Sequence, residues 1–179
     1  QYSSLSPSGE DFFLTSVQAK VTLRAMESFL NQIVETALGE AKKAGDAGEI
    51  PVCAVVFDSK NGQIVSIAVN RTERDNDPTA HAEILALREA CRLKGEPRLP
   101  DLDIYVTLEP CPMCAAAISF ARIRRLYFGA YDAKGGGVEH GCRLYAQKGC
   151  LCKPEVYGGF GERESAALLK DFFAGLRNK

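Results

Sequence analysis

A chain of 179 residues, 46% hydrophobic and 25% charged, has the size and composition of one soluble globular domain. A net charge of −1 argues against a general nucleic-acid-binding surface, and no run approaches the ~20 apolar residues of a membrane-spanning helix. Seven cysteines, an odd number, and no basic-then-apolar leader fit a reducing, cytoplasmic home better than a disulfide-stapled secreted scaffold.

Residues 1–25 read as an N-terminal tail or extension, residues 1–15 being without periodicity, so one domain is expected over 26–179. From Leu30, apolar residues recur at helical spacing through Ile33, Val34, Ala37, Leu38 and Ala41, ending near Gly45. "IPVCAVVFD" reads as a buried strand, "SKNG" as a turn and "QIVSIAVN" as the second arm of a hairpin. A polar loop leads into a helix from about His81 to Lys94, with Thr79 as a plausible N-cap. "DIYVTLE" is a third strand, 112–121 a helix and "RRLYFGAYD" a fourth strand, followed by the flexible "KGGG". Residues 138–153 resist assignment. "EVYGG" gives a short fifth strand, and 161–176 a closing helix with Leu168, Leu169, Phe172, Phe173 and Leu176 on one face. Helices alternating with strands predict an α/β fold, a three-layer α/β/α sandwich around a mixed sheet of about five strands.

Two short stretches carry chemistry. "PTAHAE" places His81 two residues before Glu83, and "LEPCPMC" places Cys111 and Cys114 three apart, with Pro112 at the first helical position. Cys111 is then an N-cap, and both thiols sit where unpaired N–H groups and the helix dipole favour thiolate. His81 occupies the matching place on the other helix. One imidazole and two thiolates suit zinc, and three protein ligands leave a fourth position for water, as catalytic sites do. Glu83 is a poor further ligand and a better proton shuttle between that water and a substrate nitrogen. Taken singly, each motif is more often a buried helix face; together, both at strand-to-helix junctions, they point to a metal site. His140, Cys142, Cys150 and Cys152 offer a rival second site, but their spacing fits no common zinc pattern, and a loop with incidental thiols is the simpler reading.

Charge is unevenly spread. Arg122 to Lys179 holds eleven Lys/Arg against six Asp/Glu, which suits either a phosphate-contacting edge or an ordinary solvated surface.

H-x-E followed by P-C-x-x-C is the signature of zinc nucleobase deaminases. From Met26 onward the chain resembles the bacterial tRNA-specific adenosine deaminases. "GEIPVCAVV", "NDPTAHAEILALREA", "LDIYVTLEPCPMCAAAI", "RIRRLYFGAYDAKGG" and "ESAALLKDFF" carry the likeness. The resemblance implies a zinc-dependent homodimer that deaminates the wobble adenosine of a tRNA anticodon to inosine. It implies His81, Cys111 and Cys114 as zinc ligands and Glu83 as shuttle. It further implies Asn70 and the backbone of Ala82 and Pro110 beside the base, and Asp132 near the ribose or flanking nucleotide. Arg122, Arg124, Arg125, Lys134 and Lys153 are candidates for the RNA backbone; Phe172 and Phe173 match a pair near the RNA loop and equally fit a buried helix face. Cys53 departs from the family's usual small glycine, which bears on pocket packing, and the first 25 residues have no counterpart. Two alternatives stay open: the same machinery acting on a free base or nucleoside (cytosine, cytidine or guanine), and a non-catalytic zinc module.

Overall fold

Residues 9–177 are described by a computed structural model of the chain, the side chains of residues 9–23 and 25 excepted. The sequence yields a 38-residue helix, α1 (Gly9–Asp46), and then the hairpin β1 (Cys53–Asp58) and β2 (Gln63–Val69). The one-turn helix α2 (Thr72–Asp75) and the helix α3 (Ala82–Lys94) lead to β3 (Asp103–Leu108). The helix α4 (Pro112–Phe120), β4 (Arg125–Ala130), a 3-10 turn at Leu144–Ala146, β5 (Glu155–Tyr157) and the helix α5 (Glu162–Arg177) complete the chain. The 3-10 turn lies in the stretch that resists assignment from pattern. Helix α1 begins far upstream of Leu30, because no proline stands between Pro7 and Pro51 and each residue added to a formed helix gains a hydrogen bond. Residues 1–8 of the expected tail lie outside the described residues. The chain divides into two units, residues 1–32 and residues 33–179, and the second contains the sheet.

That sheet is mixed, in the order β2-β1-β3-β4-β5: β1 is antiparallel to β2 and β3, and β3, β4 and β5 are parallel. Strands β1 and β3 are buried on both faces and read as continuous apolar runs, whereas β2 lies at an edge and is largely exposed. On one face Ala54, Val56, Ile104, Val106, Leu126 and Phe128 pack with Ala86 and Leu87 of α3 and Ala115 and Ile118 of α4. Alternate residues turn to the other face. There the Tyr105 hydroxyl donates to Phe160 O at 2.8 Å, and the Tyr127 ring stacks on Tyr157. Gly161 lies so close to Val34 of α1 that an added Cβ would stand 2.7 Å from its side chain. Helices thus cover both faces, as the three-layer expectation holds. Because β3 and β4 are parallel, the segments leaving their C-terminal ends, Glu109–Cys111 and Tyr131–Gly137, emerge side by side, the usual place for a site in such sheets. Among the described residues no helix is long and apolar enough to cross a membrane.

Candidate active site

Two helix starts build the site. His81 is the N-cap of α3 and Cys111 the N-cap of α4, both in extended backbone conformation with Pro112 opening the second helix. Thr79 does not cap α3; its N–H and hydroxyl both donate to Asp77 Oδ1, at 2.8 and 2.7 Å. This corrects the expectation from sequence: a nearer carboxylate closes the turn before the helix begins, which leaves the cap to His81. The two helix starts place the imidazole and the thiol so that they can meet.

They do. His81 Nδ1 lies 3.7 Å from Cys111 Sγ and 3.5 Å from Cys114 Sγ, and the three ligand atoms fall within 4.8 Å of one another. Tetrahedral zinc, with bonds of about 2.3 Å to sulfur and 2.0–2.1 Å to nitrogen, sets those atoms about 3.5 Å apart. The donor set therefore fits zinc in both chemistry and spacing. The Cys111 thiol is held down at about 4, chiefly by the hydrogen bond from Cys114, and that same bond pushes Cys114 up. Its hydrogen bond to Cys111 raises the His81 imidazole. Glu83, on the first turn of α3, is only 4% exposed, and burial raises its carboxyl to about 7 despite the lowering pull of a backbone N–H.

The other candidates divide by position. Asn70 is buried at the end of β2, its Nδ2 donating to Thr72 Oγ1 at 3.0 Å. Ala82 and Pro110 are buried beside His81 and Cys111 in the chain, and Pro110 O accepts from Gly137 N–H at 2.8 Å. Asp132 organises its own loop: Oδ1 accepts from the N–H groups of Lys134 and Gly135 at 3.0 and 2.9 Å. Lys134 shares that loop. The other basic candidates stand elsewhere. Arg125 pairs with Asp103 in the sheet register while Ala130 pairs with Leu108, so Arg125 lies about 16 Å down the strand from the site. Arg124, Lys153 (just before β5) and Arg122 (beyond the end of α4) share that far end. Arg124 holds buried Asp103 through two bonds of 2.8 Å, and Arg125 holds Glu155 at 2.8 Å. Of these five basic candidates, Lys134 alone shares the end of the sheet where the site lies. On α5, Phe172 is half-buried and Phe173 44% exposed, their rings in an edge contact, so the helix buries only part of its apolar face.

Sequence reasoning gave Glu109 no role. It is 2% exposed and holds the loop from Asp132 to His140. An acid directly after an apolar strand and opposite a glycine tract was the available signal. His140 bonds Glu109 rather than a metal, Cys142 points toward Gly137 O, and Cys150 lies beside Ser119 Oγ. Among the described residues His81, Cys111 and Cys114 form the one group placed to hold an ion, which favours incidental thiols for the rival cluster. All seven cysteines are free. Cys53 is fully buried, and its thiol is raised to about 12 by burial, so it is inert packing.

Residues 27–130 match the family of the cytidine and deoxycytidylate deaminase zinc-binding region. A tRNA-specific adenosine deaminase of Agrobacterium fabrum is 54% identical over 140 residues, 78% of this chain and 91% of the relative. Another, from Bacillus subtilis, is 41% identical over 146 residues, 82% and 89% of the two chains. A solved structure from studies of A-to-I editing by tRNA deaminases at the wobble position of transfer RNA matches with a TM-score of 0.73 at 55% identity. That match spans 75% of this chain and 96% of the other. A guanine deaminase from Nitrosomonas europaea shares the fold, with a TM-score of 0.68 at 21% identity over 79% and 82% of the chains. With the His81, Cys111 and Cys114 geometry in place, these likenesses put the chain in the zinc-binding cytidine and deoxycytidylate deaminase family, among its tRNA-specific adenosine deaminases.

Proposed function

We propose that this chain is a zinc-dependent hydrolase that converts the wobble adenosine of a tRNA anticodon to inosine, with one zinc ion per chain. The observation that carries the reading is the meeting of an imidazole and two thiols at two helix starts, with buried Glu83 on the same turn, in a chain 54% identical to a tRNA-specific adenosine deaminase.

His81 Nδ1, Cys111 Sγ and Cys114 Sγ hold the zinc. Bound there, zinc supplies a Lewis acid that makes water nucleophilic near neutral pH. Glu83 moves the protons: its buried carboxylate takes a proton from water, delivers it to a ring nitrogen, and then carries the proton of the added hydroxyl to the departing amine. Water adds at the amine-bearing carbon and ammonia leaves, so adenine becomes hypoxanthine. A base in an anticodon loop is splayed into the pocket at low cost. Asn70 and the backbone of Ala82 and Pro110 orient that base, and Asp132 and Lys134 face the ribose and the flanking strand. Exposed Phe173 is available to stack on a loop base.

Residues 26–179 form the deaminase domain, with residues 1–25 an extension, in a chain that works in the cytoplasm as its free thiols favour. It works as a homodimer. Phe120 (82% exposed) and Leu151 (91% exposed) flank an apolar groove of about 470 Å³ beside Arg98 and Arg122, a surface suited to a second copy. Phe120→Glu is expected to sediment as a monomer where the unaltered chain is a dimer.

The test is incubation of zinc-loaded protein with an anticodon stem-loop RNA and separately with free adenosine, cytidine and guanine. Inosine formed only in RNA is expected; turnover of a small molecule alone overturns the substrate and keeps the zinc chemistry.

A further inference from the structure

Glu109 stands two residues before Cys111, yet its bonds run to a different segment. Its Oε1 accepts from the N–H groups of Val138, Glu139 and His140 at 3.2, 2.8 and 2.9 Å. Its Oε2 accepts from Asp132 N–H at 3.1 Å and bonds His140 Nδ1 at 2.7 Å. A carboxylate offers about four lone-pair sites, so five donors fill it and leave nothing for a metal or a reacting proton. Burial of this charge is tolerated because it is so fully bonded.

A second observation concerns the same contact. A Cβ on Gly136 would stand 2.6 Å from the Glu109 carboxyl carbon, and one on Gly137 would stand 2.6 Å from Pro112 N. Gly137 N–H also donates to Pro110 O at 2.8 Å. Only residues without side chains let this loop lie flat on the cysteine turn. The loop carries Asp132, whose own N–H is one of the five donors.

We infer that Glu109 is a positioning residue: it pins the 132–140 loop onto the turn before Cys111 and so sets where Asp132 and Lys134 meet the RNA strand beside the target base. The inference rests on the function proposed above for its substrate. His81 and Glu83 ride on α3 and the cysteines on α4, elements that the loop does not build. Loosening the loop therefore weakens substrate binding and leaves proton transfer in place.

The test is Glu109→Gln, which keeps the shape but turns an N–H₂ toward Asp132 N–H. For stem-loop RNA, KM is expected to rise roughly tenfold or more with kcat within about threefold. Zinc content stays at one per chain, and amide hydrogen exchange at 138–140 quickens. His140→Ala, at a half-exposed residue, removes one donor of five and raises KM by roughly threefold, which serves if Glu109→Gln does not fold. An unchanged KM, or a fall in kcat together with zinc loss, overturns the inference. If the unaltered chain makes no inosine in RNA, the proposed function fails separately. Amide exchange still decides the pin, since unchanged protection at 138–140 in Glu109→Gln removes it.

Discussion

Replacing Arg124 with alanine takes away both nitrogens that reach Asp103, Nε to Oδ1 and Nη2 to Oδ2, each at 2.8 Å. Asp103 is fully buried, so its charge is left without a counter-ion. Removing one partner of a buried pair costs about 3–5 kcal/mol. The 24% exposure of the Arg124 side chain lets water reach the gap, which favours the lower end, about 3 kcal/mol. At about 2–4 °C of Tm per kcal/mol for a chain of this size, the expected fall is about 6–12 °C. Arg125→Ala breaks a pair whose Glu155 is 55% exposed. Such surface pairs contribute about 0–1 kcal/mol. The assay is thermal denaturation of both variants, alongside affinity for stem-loop RNA across a salt series. Neither variant is expected to change the salt slope, because each guanidinium already faces a carboxylate at the far end of β4. Equal destabilisation by the two substitutions, or a flatter slope in either, refutes the placement argument.

Glu83→Gln is expected to retain one zinc per chain while kcat for inosine formation falls by about 10²–10⁴-fold; activity near that of the unaltered chain removes Glu83 from proton transfer. Chelation is expected to abolish turnover and lower Tm, since zinc binds the folded chain, and zinc alone restores both. In metal-free protein the Glu83 carboxyl is raised to about 7, so the folded state binds more protons than the unfolded one between the ordinary carboxylate range and about 7. Its stabilising contribution is complete below that window and disappears as pH rises through it, by about 3 kcal/mol. Urea midpoints of metal-free protein at pH 5 and 8 are expected to differ less in Glu83→Gln than in the unaltered chain, and equal differences count against the shift.

The metal group was legible because its residues are local to two helix starts: proline after Cys111 and the three-residue spacing to Cys114 are statements about one helical turn. Strands β1 to β4 were legible for the same reason, each an apolar run bounded by turn residues. What escaped depends on distance. Thr79 has the chemistry of a cap, but Asp77 takes its hydroxyl, a local competition that propensity does not rank. Glu109 acquires its role only through Asp132 and the 138–140 backbone, which the parallel pairing of β3 with β4 brings alongside. Counting charge along the chain ignores strand direction, and Arg125 and Lys134 leave β4 at opposite ends.

The rims of the sheet have a consequence for assembly. Strand β5 is three residues long and carries the Arg125–Glu155 pair across its ladder, and the register of β1 with β2 is broken at Val56/Phe57. A short, charged rim and a kinked one both make poor templates for another chain's backbone. Growth strand by strand into a continuous intermolecular sheet is therefore disfavoured at either rim.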